Sequence, residues 1–277
     1  MSDRPLPIST GFVEVDGSRL QYEVAGQGHP LVLFQGRNFF DRRIWENQFQ
    51  AFAQHYRVIR YDLRGFGQSP GSTKPYTLVE DLAQIVRTLT QEKTFLLDLG
   101  GGVALDFAHT YPSLVDALVL VSPAIPPLQS FEEAQINLPK HLERVAPIVE
   151  AIRQNDWQSA IDSAIQYLQL PSSANYAWVR QILAETLPSL FSSPSLPPTL
   201  DRRAFDTRHQ WIKEIRVPTL LLVGANAPSE VQLSTSILEK SMPAVQKREI
   251  TSSHVLLSVE QPEQFYRAVR DFLDTIQ

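Results

Sequence analysis

The sequence predicts an α/β fold: a mostly parallel central sheet flanked by helices, with an inserted helical lid. Three observations predict it. Short apolar runs alternate with amphipathic stretches from Phe12 to Val121. The alternation stops from about 126 to 213, where the spacing is helical, with a proline-rich break at Pro188 to Pro198. It resumes at Pro218 and continues to Ile276. Strands alternating with helices imply a parallel sheet covered on both faces. The expected core is residues 1–122 and 217–277, and the expected lid is 123–216.

Each element has its own signal. Phe12 to Val15 and Leu20 to Val24 flank Asp16-Gly17, a strong hairpin turn. Pro30 to Phe34 is an unbroken apolar run, as expected of a strand buried on both faces. Trp45 to His55 is amphipathic, and Tyr56 to Asp62 is strand-like. Leu78, Leu82, Ile85, Val86 and Leu89 return at helical spacing within Thr77 to Leu89. Thr94 to Leu97 reads as a strand, and Val103 to His109 as a helix after a glycine run. Ala117 to Val121 is another buried strand. After the insertion come a strand at Pro218 to Gly224, a helix near Val231 to Glu239, a strand near Gln246 to Ile250 and a helix from Pro262 to Ile276.

Composition narrows the function. The chain has 277 residues, 43% hydrophobic and 20% charged, which is globular. Its formal net charge is −5, and no long basic run exists, which argues against a nucleic-acid partner. No apolar run approaches a membrane span. The start, MSDRPLPIST, lacks the apolar stretch of a secretory signal, so a cytoplasmic protein is expected. Cysteine is absent, which excludes disulfides and thiolate chemistry. The six histidines are scattered without ligand spacing, so no metal is expected. Gly100-Gly101-Gly102 fits neither nucleotide-binding glycine pattern, so no nucleotide cofactor is expected either.

Four segments together resemble the α/β-hydrolase superfamily, specifically its small lidded esterases, dehalogenases and epoxide hydrolases. They are Pro30 to Gly36, Arg60 to Ser69 with its Asp62-Leu-Arg-Gly-Phe-Gly-Gln-Ser run, Tyr111 to Ala124, and Ser252 to Phe265. The resemblance implies a nucleophile on a sharp turn between the fifth strand and its helix, normally in G-x-S-x-G. Here that region is Phe95-Leu-Leu-Asp-Leu-Gly-Gly-Gly-Val-Ala104, without a serine. Counting back from Tyr111-Pro112 puts Asp98 at the nucleophile position, with the backbone N–H of Leu99 aiding the oxyanion. Counting forward from Glu92-Lys93 leaves the chain about two residues short. Asp98 is then either a carboxylate nucleophile or a cap of the following helix.

The resemblance places the base at His254. Its usual acid position, after the seventh strand, is Ala227; Glu230 lies off that position, and the segment after the sixth strand has no carboxylate. Gln35 stands where the family has histidine before the oxyanion loop, and Arg37 and Asn38 are that loop's candidates for substrate binding. Asp62, Arg64 and Gly65 hold a loop together. Lid residues Tyr167 and Tyr176 could donate to an epoxide oxygen, or could belong to the core with the lid's other aromatics. The resemblance implies a cofactor-free hydrolase of a small apolar ester, epoxide or haloalkane. Two alternatives stay open: an inactive binding module on the same scaffold, and a cofactor-free non-hydrolytic enzyme using His254 alone. Oligomeric state is not readable from the sequence.

Overall fold

The computed structural model describes residues 6–36, 39–125, 131–170, 176–192 and 208–276. Among the described residues, eight strands form one sheet in the order β1-β2-β4-β3-β5-β6-β7-β8. They are β1 (Ile8–Val15), β2 (Ser18–Ala25), β3 (Pro30–Phe34), β4 (Arg57–Tyr61), β5 (Thr94–Leu99), β6 (Val115–Val121), β7 (Thr219–Gly224) and β8 (Val245–Ile250). β1 and β2 pair antiparallel, as do β2 and β4; every later pairing is parallel. The hairpin turns at Gly17, whose φ of 72° suits glycine.

The central strands β3, β5, β6 and β7 are almost wholly buried. Helices on both faces explain their unbroken apolar sequences. One face packs against α1 (Glu46–Ala53) and α9 (Pro262–Leu273), around Phe49, Phe52, Phe265 and Phe272. The other packs against α2 (Leu78–Leu89) and α3 (Gly102–Thr110), around Leu82, Val86, Leu105 and Phe107. Helix α2 starts where Thr77 accepts the Glu80 backbone N–H at 3.2 Å, an N-cap that satisfies one orphan donor. α7 (Ser229–Ser241) follows β7, and the short α8 (Leu257–Glu260) leads into α9.

Between β6 and β7 lie α4 (Phe131–Arg153), α5 (Trp157–Tyr167) and α6 (Ala177–Ser192). Pro188, read from sequence as the start of a break, lies inside α6, which continues to Ser192. A proline there has no N–H for the Ala184 carbonyl and its ring crowds that carbonyl, while burial of Val179, Ile182, Leu183 and Leu187 in the core cluster keeps the helix continuous. Ile148, Ile161, Ala164, Val179 and Leu183 join the same apolar cluster as Leu99, Leu256 and Leu257. The inserted helices are thus continuous with the core at the carboxyl end of the sheet. Among the described residues, no helix is long and apolar enough to cross a membrane.

Candidate active site

The fifth strand runs two residues further than its apolar run suggests. Asp98 pairs with Phe34 on one side and Leu120 on the other, and Leu99 pairs with Val121. Two flanking ladders hold a charged residue in extended backbone. Gly100 and Gly101 then turn the chain, with φ of 101° and 75°, and α3 begins at Gly102. The turn apex is therefore Gly100, which carries no side chain. A Cβ built there would meet nothing within 4 Å.

Strand alternation sends Asp98 to the α3 face, alongside Leu96, and Leu99 to the opposite face. Asp98 is 0% exposed. Its Oδ2 accepts the Ala104 backbone N–H at 2.9 Å. Burial pushes its carboxyl up to about 7, against the opposing pull of the N–H groups of Ala104, Gly101 and Val103. The carboxylate thus caps α3 from inside the sheet, at the positive end of the helix dipole.

His254 sits in the loop after β8, 29% exposed. Its Nδ1 lies 2.8 Å from Oε2 of Glu260, a carboxylate only 4% exposed. Glu260 also accepts the backbone N–H groups of His254, Val255 and Leu256 at 3.0–3.2 Å. A carboxylate so placed holds the proton on Nδ1 and leaves Nε2 as the acceptor. The histidine therefore has an orienting acid, six residues downstream of it. Sequence reasoning missed Glu260 because it looked only at the ends of β6 and β7. The available signal was a glutamate following the histidine loop and preceding Gln261-Pro262, one helical turn along.

Neighbouring strand ends fix the same loop. Asn226 donates its N–H to the Ser253 carbonyl at 2.9 Å. A Cβ on Gly224 would lie 2.5 Å from the carbonyls of both Ser253 and His254, so glycine is required there. Ser122 Oγ donates to the Val255 carbonyl at 2.7 Å. Ala227, at the usual acid position, is 5% exposed and packs with Val223 and Val231. Glu230 pairs with Arg144 of α4.

The other expected residues fall as follows. Gln35 is fully buried directly after β3. Arg37 and Asn38 lie outside the described residues. Tyr167 and Tyr176 are partly buried against the apolar cluster that contains Leu99. The Arg144 guanidinium lies 4.8 Å from the Tyr167 ring centre and donates to the Tyr167 carbonyl at 2.9 Å. Burial raises the Tyr167 hydroxyl above its ordinary range, opposed by Arg144. Asp62 accepts the Arg42 N–H at 3.0 Å and pairs with its guanidinium, while Arg64 grips Asp81 at 2.7 and 2.8 Å and the Asp16 carbonyl at 2.7 Å. That segment ties loops together. The hydrogen bonds of Asp98 run to the start of α3, and those of His254 run to Glu260.

A family model described as alpha/beta hydrolase fold matches residues 29–257. Epoxide hydrolase 3 of Mus musculus is 33% identical over 143 residues, 48% of this chain and 38% of that protein. 3-oxoadipate enol-lactonase 1 of Acinetobacter baylyi is 26% identical over 270 residues, 94% of this chain and 95% of that protein. The enol-lactonase structure from Burkholderia xenovorans superposes with a TM-score of 0.74 at 20% identity, covering 95% of this chain and 100% of that one, a likeness of fold. The chain spans 35% to 39% of the length of several curated relatives that it matches. With the sheet order, the glycine turn before α3 and the histidine loop after β8 in place, the chain belongs to the α/β hydrolase fold family.

Proposed function

We propose that the protein is a hydrolase of a small apolar ester or epoxide, in which His254, oriented by Glu260, activates water directly. One observation carries this reading: a histidine–glutamate pair is assembled at the carboxyl edge of the sheet, where the elbow apex is a glycine. Ligands of open α/β sheets bind at that edge. In the reaction, Nε2 takes a proton from water as the oxygen attacks the substrate carbon. Glu260 stabilises the imidazolium, and His254 then returns the proton to the leaving oxygen. No covalent enzyme intermediate is needed.

Asp98 serves the scaffold on this reading, because its Oδ2 accepts the Ala104 N–H at the start of α3. Helices α4 to α6 form the lid, and their apolar side chains, shared with the cluster around Leu99 and Leu256, favour an apolar substrate. The two relatives named above, an epoxide hydrolase and an enol-lactonase, support the two substrate classes.

The test is hydrolysis of activated esters and epoxides by wild type, His254→Ala, Glu260→Gln and Asp98→Asn. Turnover should fall by about 10²–10⁴-fold in His254→Ala, fall substantially in Glu260→Gln, and survive in Asp98→Asn. Intact mass should show no adduct. An ester on Asp98 that accumulates in His254→Ala would instead make Asp98 the nucleophile. Failure of the whole panel would favour a binding module.

A further inference from the structure

Ser122 has a backbone that its sequence does not favour. Its φ is 46°, one of four positive values at non-glycine residues among those described. Left-handed backbone is uncommon for serine. The next residue is Pro123, and a residue before proline is pressed towards extended backbone instead. Such conformations persist only where the surroundings over-determine them, and they gather at functional sites.

The surroundings of Ser122 identify what holds it. Its N–H donates to the Leu222 carbonyl at 2.8 Å, which extends the β6–β7 ladder by one step. Its side chain, on a residue 3% exposed, reaches across to the Val255 carbonyl at 2.7 Å. That carbonyl belongs to the residue after His254. The loop is thus gripped from two sides: Glu260 takes its N–H groups, and Ser122 takes its next carbonyl. An extended residue 122 would carry the hydroxyl away from the loop.

We infer that Ser122 is a positioning residue for His254, and that its strained turn is kept so that its hydroxyl can clamp the histidine loop. The inference rests on the proposed base role of His254. It also accounts for the end of β6, where the sequence offers no acid: that strand end supplies a hydrogen-bond donor to the loop in place of a carboxylate to the ring.

Ser122→Gly separates positioning from folding. Glycine adopts the positive φ freely, so this variant should melt at or near the wild-type temperature. Without the hydroxyl, the ring should sample positions away from Glu260. Nitrogen-15 spectra of the ring should then show a mixed tautomer where the wild type shows a proton fixed on Nδ1. On ester substrates, kcat should fall on the order of tenfold to a hundredfold with KM little changed. Ser122→Asn, which tolerates the turn and retains a donor, should recover part of both signals. A glycine variant with the wild-type tautomer overturns the inference, whether or not turnover is measurable. Wild type without turnover refutes the proposed hydrolysis, and the tautomer comparison still decides the role of Ser122.

Discussion

Asp98 is where residue-scale physics gives the sharpest expectation. Its carboxyl titrates near 7 in the folded chain, against an ordinary value of 3.8, because burial outweighs the helix N–H groups. A raised carboxyl favours the protonated form in the fold. The contribution of Asp98 to stability is therefore fullest below pH 3.8, is lost as pH rises towards 7, and is flat above it. The shift corresponds to roughly 4 kcal/mol. Asp98→Asn keeps an oxygen for the Ala104 N–H and cannot ionise. Its unfolding free energy in urea should exceed wild type at pH 8 by about 1–4 kcal/mol, with the gap closing towards pH 5. A gap independent of pH would mean that Asp98 does not titrate in this range. The sequence revealed that Asp98 is unusual but not where it points. That depends on a ladder pairing with Phe34 and Leu120, residues distant along the chain. Glu260 was missed for a related reason: the glutamate one turn after the histidine loop is legible, but that it faces the loop depends on backbone N–H groups brought round by the loop's curl.

At the scale of elements, the glycine turn before α3 makes two opposite predictions from neighbouring residues. Gly102 is the first residue of α3 and is not among the glycines with positive φ, and a Cβ there would meet nothing within 4 Å. Glycine in a helix costs about 0.5–1 kcal/mol relative to alanine. Gly102→Ala should therefore stabilise by up to that amount. Gly100 has equally open surroundings but a φ of 101°, so Gly100→Ala should destabilise by about 1–2 kcal/mol from backbone alone. Chemical denaturation of both variants measures this; equal signs would sink the account of the turn. The hairpin, the central strands and the amphipathic helices were legible because one-sided or two-sided burial imposes a period on each. The strand–turn boundary at Asp98 was not, since a carboxylate ordinarily marks the end of a buried strand. The persistence of α6 through Pro188 was equally hidden, because the burial of Leu183 and Leu187 that carries the helix past the proline rests on contacts distant along the chain.

For the whole molecule, the question is how the inserted helices are tied to the sheet that carries His254. The alternation of strands and helices made the sheet readable, and its interruption made the insertion readable; the ties between them are long-range. Arg144 of α4 pairs with Glu230 at the start of α7 and also donates to the Tyr167 carbonyl of α5. Thr186 of α6 donates to the Phe39 carbonyl, and Arg43 pairs with Glu185. The Arg43–Glu185 pair is well exposed at Glu185 and contributes little. The Arg144–Glu230 pair is more sheltered, 29% and 18% exposed, so its removal should be felt. A double-mutant cycle of Arg144→Met and Glu230→Gln should give a coupling of about 0.5–3 kcal/mol. If the inserted helices and the sheet unfold together, that coupling appears in one transition seen equally by tryptophan fluorescence and by circular dichroism. Trp157 and Trp178 report on the insertion, while Trp45 and Trp211 report on the core. In Arg144→Met that single transition should move to lower denaturant in both probes. An unmoved transition would show that the apolar contacts of Ile161, Val179 and Leu183 hold the insertion without the ion pair.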